Sequence, residues 1–259
     1  MAALRRGAAP HATPRPSPLA LAARRLHDLA ARPLRAAALD VLEFLLPQRC
    51  PGCGVPADPV RFLCERCHAR LPRLANPVCA RCLLEDLPPD GCRRHPHDQV
   101  HAVWLYDDRV ALLVHALKFA GRPELALELA PAMAAVIPRA RRATTLVTAV
   151  PLHAARRRER GYDQAAELGE ALASELGAPF MPGLLERTRA TIAQSALGSQ
   201  ARRRNLTGAF RLAHPSWVRG RDVLVVDDVL TTGATLHEAM GTLRAAGART
   251  QGAVLAWAQ

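Results

Sequence analysis

Aromatic residues are scarce, at 4% of a 259-residue chain, and that scarcity excludes a broad base-stacking platform. Contact with a single strand would run chiefly along the backbone. Long apolar runs are missing too. The stretch AAALDVLEFLL is broken by Asp40 and Glu43, so nothing reaches the roughly 18 residues of a membrane span. An export signal is also lacking, since PLALAA runs straight into Arg24-Arg25 and falls short of an apolar core of about 7–15 residues. An Arg-rich organelle transit peptide is the competing reading of this start, and the cytoplasm is the default location.

Charge is present in excess but unevenly. Of the net +12, residues 1–36 carry +6, from seven Arg and one Asp. The segment is rich in Ala, Pro and Arg with weak periodicity, which predicts a disordered basic tail. Subtracting +6 from +12 leaves the remainder at +6, with Arg156–Arg160 and Arg202–Arg204 as clusters. At 49% hydrophobic, the chain can bury one substantial core plus a smaller unit. The expected division is 1–36 tail, 37–99 amphipathic helix and cysteine module, and 100–259 α/β domain. The helix from Ala37 carries Val41, Phe44 and Leu45 on one face and ends at Pro47.

All seven cysteines fall between residues 50 and 92. Cys50-x-x-Cys53 followed by Cys64-x-x-Cys67 has four-thiolate zinc-ribbon spacing, and Cys79-x-x-Cys82 followed by Cys92-x-x-His95 repeats it with one imidazole. Disulfides are the alternative, but a reducing compartment and an odd cysteine count argue against them. Four protein ligands leave no open position for water, so two structural zinc sites are expected. Each would supply on the order of 10 kcal/mol to a module poor in large apolar side chains. His97 and His101 compete with His95, and crossed pairing of the two knuckle sets is open.

The chain is organised around Val223–Leu236, VLVVDDVLTTGATL. Four apolar residues predict a buried parallel strand ended by two acids. A Thr/Gly loop follows, then a helix carrying Leu236, Met240 and Leu243 up to Gly247. Amides of the tight turn and the positive end of the helix make a concave anion site. Gly233 permits close approach, and Thr231, Thr232 and Thr235 add hydroxyl donors around Ala234. Asp227 and Asp228 can accept from paired sugar hydroxyls at the carboxyl end of the sheet. The combination asks for a ribose 5-phosphate. A plain β-turn-α junction with a Thr cap would need one hydroxyl and no paired acids. No Lys follows the glycine, which excludes a Walker loop.

Upstream, a strand is expected over His101–Tyr106, a helix ending at Lys118 and closed by Gly121, a helix over Pro123–Ile137, and a strand over Thr145–Val150. Lys118 is either a phosphate partner or, more often for such a residue, a solvated dipole partner. Arg156, Arg157, Arg158 and Arg160 form a basic loop before a helix starting near Asp163, suited to pyrophosphate or simply solvated. Glu186–Phe210 is a long polar stretch that reads as a lid, with Gln194, Arg203 and Asn205 as its polar candidates.

The TTGAT stretch resembles the phosphoribosyl-pyrophosphate signature of type I phosphoribosyltransferases. Together with the cysteine module, LKFAG, VPLHAARRRERGYDQ, IAQ, RRRN and GAF, the chain from about residue 40 resembles the ComF family of bacterial competence proteins. The usual family run is Arg-Gly-Phe-Asn-Gln; here Tyr162 and Asp163 stand for Phe and Asn, and Asp163 adds negative charge near the expected pyrophosphate. The resemblance implies a type I phosphoribosyltransferase-like fold, a parallel sheet flanked by helices and preceded by a double zinc ribbon. It implies that Asp227 and Asp228 hold the ribose 2- and 3-hydroxyls and Thr231–Thr235 the 5-phosphate, with Mg²⁺ accompanying phosphoribosyl pyrophosphate. It also implies handling of imported single-stranded DNA in transformation, beside the DNA-uptake machinery. A nucleobase-salvage transferase releasing pyrophosphate is the alternative. Purine salvage enzymes usually carry an acid where this chain has Thr231, a poor general base, so catalysis itself is not established by the resemblance.

Overall fold

A computed structural model describes residues 49–56, 61–75, 77–84, 87, 92–119, 122–139, 145–188 and 208–259. The basic tail, the helix expected from Ala37, and Gln194, Arg203 and Asn205 lie outside the described residues, as do Gly121 and Arg202–Arg204. The strands are β1 (Val78–Cys79), β2 (Gln99–Leu105), β3 (Thr145–Ala149), β4 (Leu185–Arg187), β5 (Phe210–Leu212), β6 (Asp222–Leu230) and β7 (Arg249–Trp257). The helices are α1 (Glu65–His68), α2 (Asp108–Phe119), α3 (Leu125–Val136), α4 (Ala154–Arg160), α5 (Gln164–Leu176) and α6 (Ala234–Ala245).

A five-stranded sheet runs in the order β1-β2-β7-β6-β3. Its last four strands are parallel, and β1 adds antiparallel to β2. Side chains of β6 alternate between two cores, as a period of two dictates. Leu224 and Val226 pack with Leu129, Met133, Leu168 and Leu172 of α3 and α5. Val223 and Val225 pack with Leu236, Met240 and Leu243 of α6. Both faces of the sheet are therefore covered by helices, which is why the VLVV run needs no polar alternation.

Three expectations change. First, the acids do not end the strand: β6 continues to Leu230 because β7 supplies partners for it, Asp227 against Val254 and Leu230 against Trp257. Second, β2 begins at Gln99 rather than His101, because Val100 and Gln99 pair with Val78 and Cys79 of the cysteine module. Third, the basic loop is helical. In α4, His153 Nδ1 caps the start by accepting from Ala155 N at 3.3 Å. The Ala- and Arg-rich run favours helix, and Gly161 at φ 81° stops it. A two-stranded hairpin, β4 with β5, stands where the polar stretch leaves and rejoins the fold, and Thr188 N donates to Ala209 O at 2.9 Å.

Candidate ligand cleft and metal centres

The carboxyl ends of β3 and β6 open into one cleft. Asp227, Asp228 and the whole of Thr231–Thr235 line it. Arg156, Arg160, Lys118 and Gln164 line it too. Arg156 and Arg160 are four residues apart on α4 and so share a face, whereas Arg157 and Arg158 are exposed elsewhere. This is the crevice outside the strand ends where open α/β sheets bind ligands.

The loop between β6 and α6 turns at Gly233, whose φ of 70° suits glycine and few other residues. Gly233 is the N-cap of α6 and brings no side chain to its first amides, so the positive helix end faces the cleft. A Thr cap on this helix, the bland reading of the sequence, is not what forms.

Asp228 is buried and held from two sides. Lys118 Nζ lies 3.1 Å from its Oδ2, and Gln164 Nε2 donates to the same oxygen at 3.0 Å. Gln164 in turn accepts from Arg160 at 2.9 Å. Lys118, the one lysine of the sequence, is thus an ion-pair partner inside the cleft rather than a solvated dipole partner. Asp227 accepts from Asp228 N at 2.9 Å. Burial, and then the neighbouring Asp228 carboxylate, push the Asp227 carboxyl up to about 8. A carboxylic acid beside a carboxylate offers a donor and acceptors together, which matches a vicinal diol.

The usual value for such a carboxyl is 3.8. Between that pH and about 8 the folded chain keeps a proton that the unfolded chain has lost, so stability falls as pH rises through this window and levels off above it. Asp227→Asn removes the titration. Its melting temperature is expected to exceed that of the wild type by a margin that widens from pH 5 to pH 8. Scanning calorimetry across that range checks the sign, and a constant or shrinking margin would contradict it.

The two departures from the usual family run have local explanations. Asp163 Oδ1 accepts from Ala165 N and Ala166 N at 3.1 and 3.3 Å, and Oδ2 accepts from Leu152 N at 2.9 Å. Its negative charge is directed to the start of α5, where the helix dipole favours it. The Tyr162 hydroxyl donates to Leu117 O at 2.5 Å, which ties this turn to the end of α2 beside Lys118.

Sequence reading missed Arg187, His153 and Gln164. Arg187, on β4, lines the cleft over the Phe210 ring, 5.7 Å from its centroid. Burial works against its charge while Asp227 favours it. No motif marked it, because the hairpin that carries it forms from strands 25 positions apart, Leu185 to Phe210. Gln164 could have been found, since it sits in the same short run as Arg160, across the turn at Gly161.

The cysteines group as the knuckle spacing suggests. The ligand atoms of Cys50, Cys53, Cys64 and Cys67 all lie within 4.8 Å of one another, as do those of Cys79, Cys82, Cys92 and His95. Neither set is crossed with the other. A zinc–sulfur bond of about 2.3 Å in a tetrahedron requires sulfurs about 3.8 Å apart. Cys53 and Cys64 are at 3.6 Å, Cys82 and Cys92 at 3.7 Å, and His95 Nδ1 is 3.6 Å from Cys79 Sγ. All seven cysteines are free thiols. Hydrogen bonding from Cys53 pushes the Cys67 thiol up to about 12, and burial does the same to Cys79. Four thiol or imidazole donors converging within one ion's reach form a donor set that suits zinc. Elemental analysis of the purified chain is expected to return two zinc ions per molecule; one or none would contradict the two-site reading.

Comparison with known proteins finds two domain families in the chain. Residues 41–93 match the double zinc ribbon domain, and residues 126–259 match the phosphoribosyl transferase domain. The chain is 37% identical over 206 residues to DNA utilization protein YhgH of Salmonella typhi, covering 78% of this chain and 80% of the relative. It is 36% identical over 194 residues to the protein of that name from Escherichia coli strain K12, covering 73% and 74%. To Competence protein F of Haemophilus influenzae it is 30% identical over 204 residues, covering 76% and 85%. Among the described residues, no helix is long and apolar enough to cross a membrane.

Proposed function

The chain belongs to the ComF family of competence and DNA utilization proteins, and from that premise we propose that it binds phosphoribosyl pyrophosphate with Mg²⁺ in the cytoplasm and acts on imported single-stranded DNA. The observation that carries the proposal is the cleft itself: paired acids, a helix start turned by Gly233 with no side-chain cap, and three arginines lining the same cleft. Asp227 and Asp228 accept the ribose hydroxyls. Thr231–Thr235 receive the 5-phosphate. Arg156 and Arg160 face the pyrophosphate, and Arg187 and Lys118 balance the acids. Gln194, Arg203 and Asn205 belong to the segment expected to close over the ligand and exclude water from an oxocarbenium-like centre. The DNA-uptake machinery is the expected partner.

Isotopically labelled phosphoribosyl pyrophosphate, offered with Mg²⁺ and each common base in turn, tests the chemistry. Binding without pyrophosphate release supports the competence reading. Release with one base would replace it with nucleobase salvage. Thr231 is exposed at the cleft and is no general base, which favours binding without purine transfer.

The DNA side of the proposal makes its own prediction. Aromatics are sparse and the chain is basic, so single-strand affinity should fall steeply with salt, with a log–log slope of roughly 0.7 per phosphate contacted. Fluorescence anisotropy with a labelled oligonucleotide at a series of salt concentrations measures it. A flat response would contradict backbone contact.

A further inference from the structure

The two cysteine clusters are not equivalent in what they touch. The first is set into the core on the α2–α3 side: Cys50, Leu63, Cys67 and Leu71 pack with Trp104 and Leu113, and Phe62 N donates to Glu128 of α3 at 3.0 Å. The second leans on the phosphate loop. A Cβ built on Gly233 would stand 1.7 Å from the carbonyl oxygen of Ala80, inside the Cys79–Cys82 knuckle. The knuckle backbone therefore lies directly against the turn that shapes the anion site.

A second set of bonds fixes that approach. Ala80 N donates to Asp98 O at 2.8 Å, and Asp98 N donates to the carbonyl of His95 at 3.1 Å. The buried Asp98 carboxylate then reaches α6, with Oδ1 at 3.0 Å from His237 Nδ1 and 3.1 Å from Arg244. Arg244 also donates to His97 O at 2.9 Å. His237 is four residues past Gly233 and donates its amide to Gly233 O at 2.9 Å. One acid thus ties the second knuckle to the helix whose first turn holds the phosphate.

We propose that Asp98 and the second cysteine cluster are positioning elements of the phosphate loop, so that the loop's order and its affinity for a ribose phosphate depend on the second metal site and not on the first cluster's anchorage to α3. The affinity half of this rests on the cleft reading given above; the loop-order half does not. With its metal bound, the knuckle is a fixed wall behind Gly233. Without it, the Ala80 carbonyl has no reason to stay, and the turn behind the anion site loses its support. A preorganised turn binds more tightly because less order is lost on binding.

The test uses the full zinc-loaded chain and three variants: Glu128→Ala, which cuts the first cluster's bond to α3 with both clusters intact, Cys82→Ala in the second cluster, and Asp98→Ala with both clusters intact. Metal content is measured for each. Amide hydrogen exchange over residues 229–240 reads loop order without ligand, and calorimetry with phosphoribosyl pyrophosphate and Mg²⁺ reads affinity. Cys82→Ala and Asp98→Ala are expected to speed exchange across Thr231–His237 at least tenfold and to weaken binding at least tenfold. Glu128→Ala is expected to leave both within about twofold. Asp98→Asn can still accept from Arg244 and is expected to recover most of the loss, with two metals retained. Should Cys82→Ala fail to fold, Asp98→Ala decides alone. Equal exchange in all variants, or exchange as fast in Glu128→Ala as in Asp98→Ala, would overturn the proposal. Exchange alone settles the brace, so an absence of ligand binding by the wild type would count against the cleft reading only.

Discussion

Gly233→Ala should be the most damaging glycine-to-alanine change among the described residues. The added carbon would lie 1.7 Å from a backbone carbonyl, at a residue with φ of 70°. The left-handed conformation alone costs roughly 1–2 kcal/mol for a residue with a Cβ, and overpacking against something that cannot rotate away adds about 1–3 kcal/mol. Together they predict a loss of roughly 2–5 kcal/mol, which for a unit of this size lowers the melting temperature by about 5–20 °C. Gly241→Ala is the control, since a Cβ there meets nothing nearer than an Arg244 nitrogen at 3.8 Å. Thermal melts of the two variants side by side decide the point. Equal midpoints would mean that the knuckle and the loop are not packed as described.

Metal removal should be larger still. Cys50 and Cys67 belong to the main core, and Cys79 is a strand residue at the sheet edge. Stripping zinc therefore leaves unligated thiols where the core and sheet need fixed walls. Structural zinc contributes on the order of 10 kcal/mol in small modules, comparable to the whole stability of a domain. A strong chelator at neutral pH is expected to abolish the cooperative melt of the native chain, with recovery on adding zinc before aggregation. A melt unchanged by chelation, in protein shown by elemental analysis to be metal-free, would contradict this.

The signals that were legible in the sequence are those that depend on neighbours along the chain. Cys-x-x-Cys spacing marks each knuckle, and the structure supplies the pairing that spacing left open by bringing the two sets together uncrossed. Four apolar residues before Asp227 predicted a strand covered on both sides, and β6 has that pattern. What was illegible depends on partners far along the chain. The extension of β6 past its acids comes from β7, and the early start of β2 from pairing with β1. Lys118 looked like a helix-end cation because nothing local announces Asp228, 110 positions later, as its partner. Arg187 and Asp98 carry no motif, yet one faces Asp227 and the other binds α6 to the second knuckle. The helical form of Ala154–Arg160 was available from composition and from Gly161, but the concentration of charge drew it toward a loop.

The account turns on whether the bend after Asp227 and Asp228 holds a phosphorylated ribose. Titration calorimetry of the zinc-loaded chain with phosphoribosyl pyrophosphate and Mg²⁺, beside the Asp227→Asn, Asp228→Asn double variant, measures this directly. A charge-assisted hydrogen bond lost at Asp228, at about 1.5–3 kcal/mol, and a neutral one lost at the protonated Asp227, at about 0.5–1.5 kcal/mol, predict one saturable site in the wild type and an affinity lower by about thirtyfold or more in the variant. No saturable heat from the wild type, or equal affinity in both proteins, would contradict it.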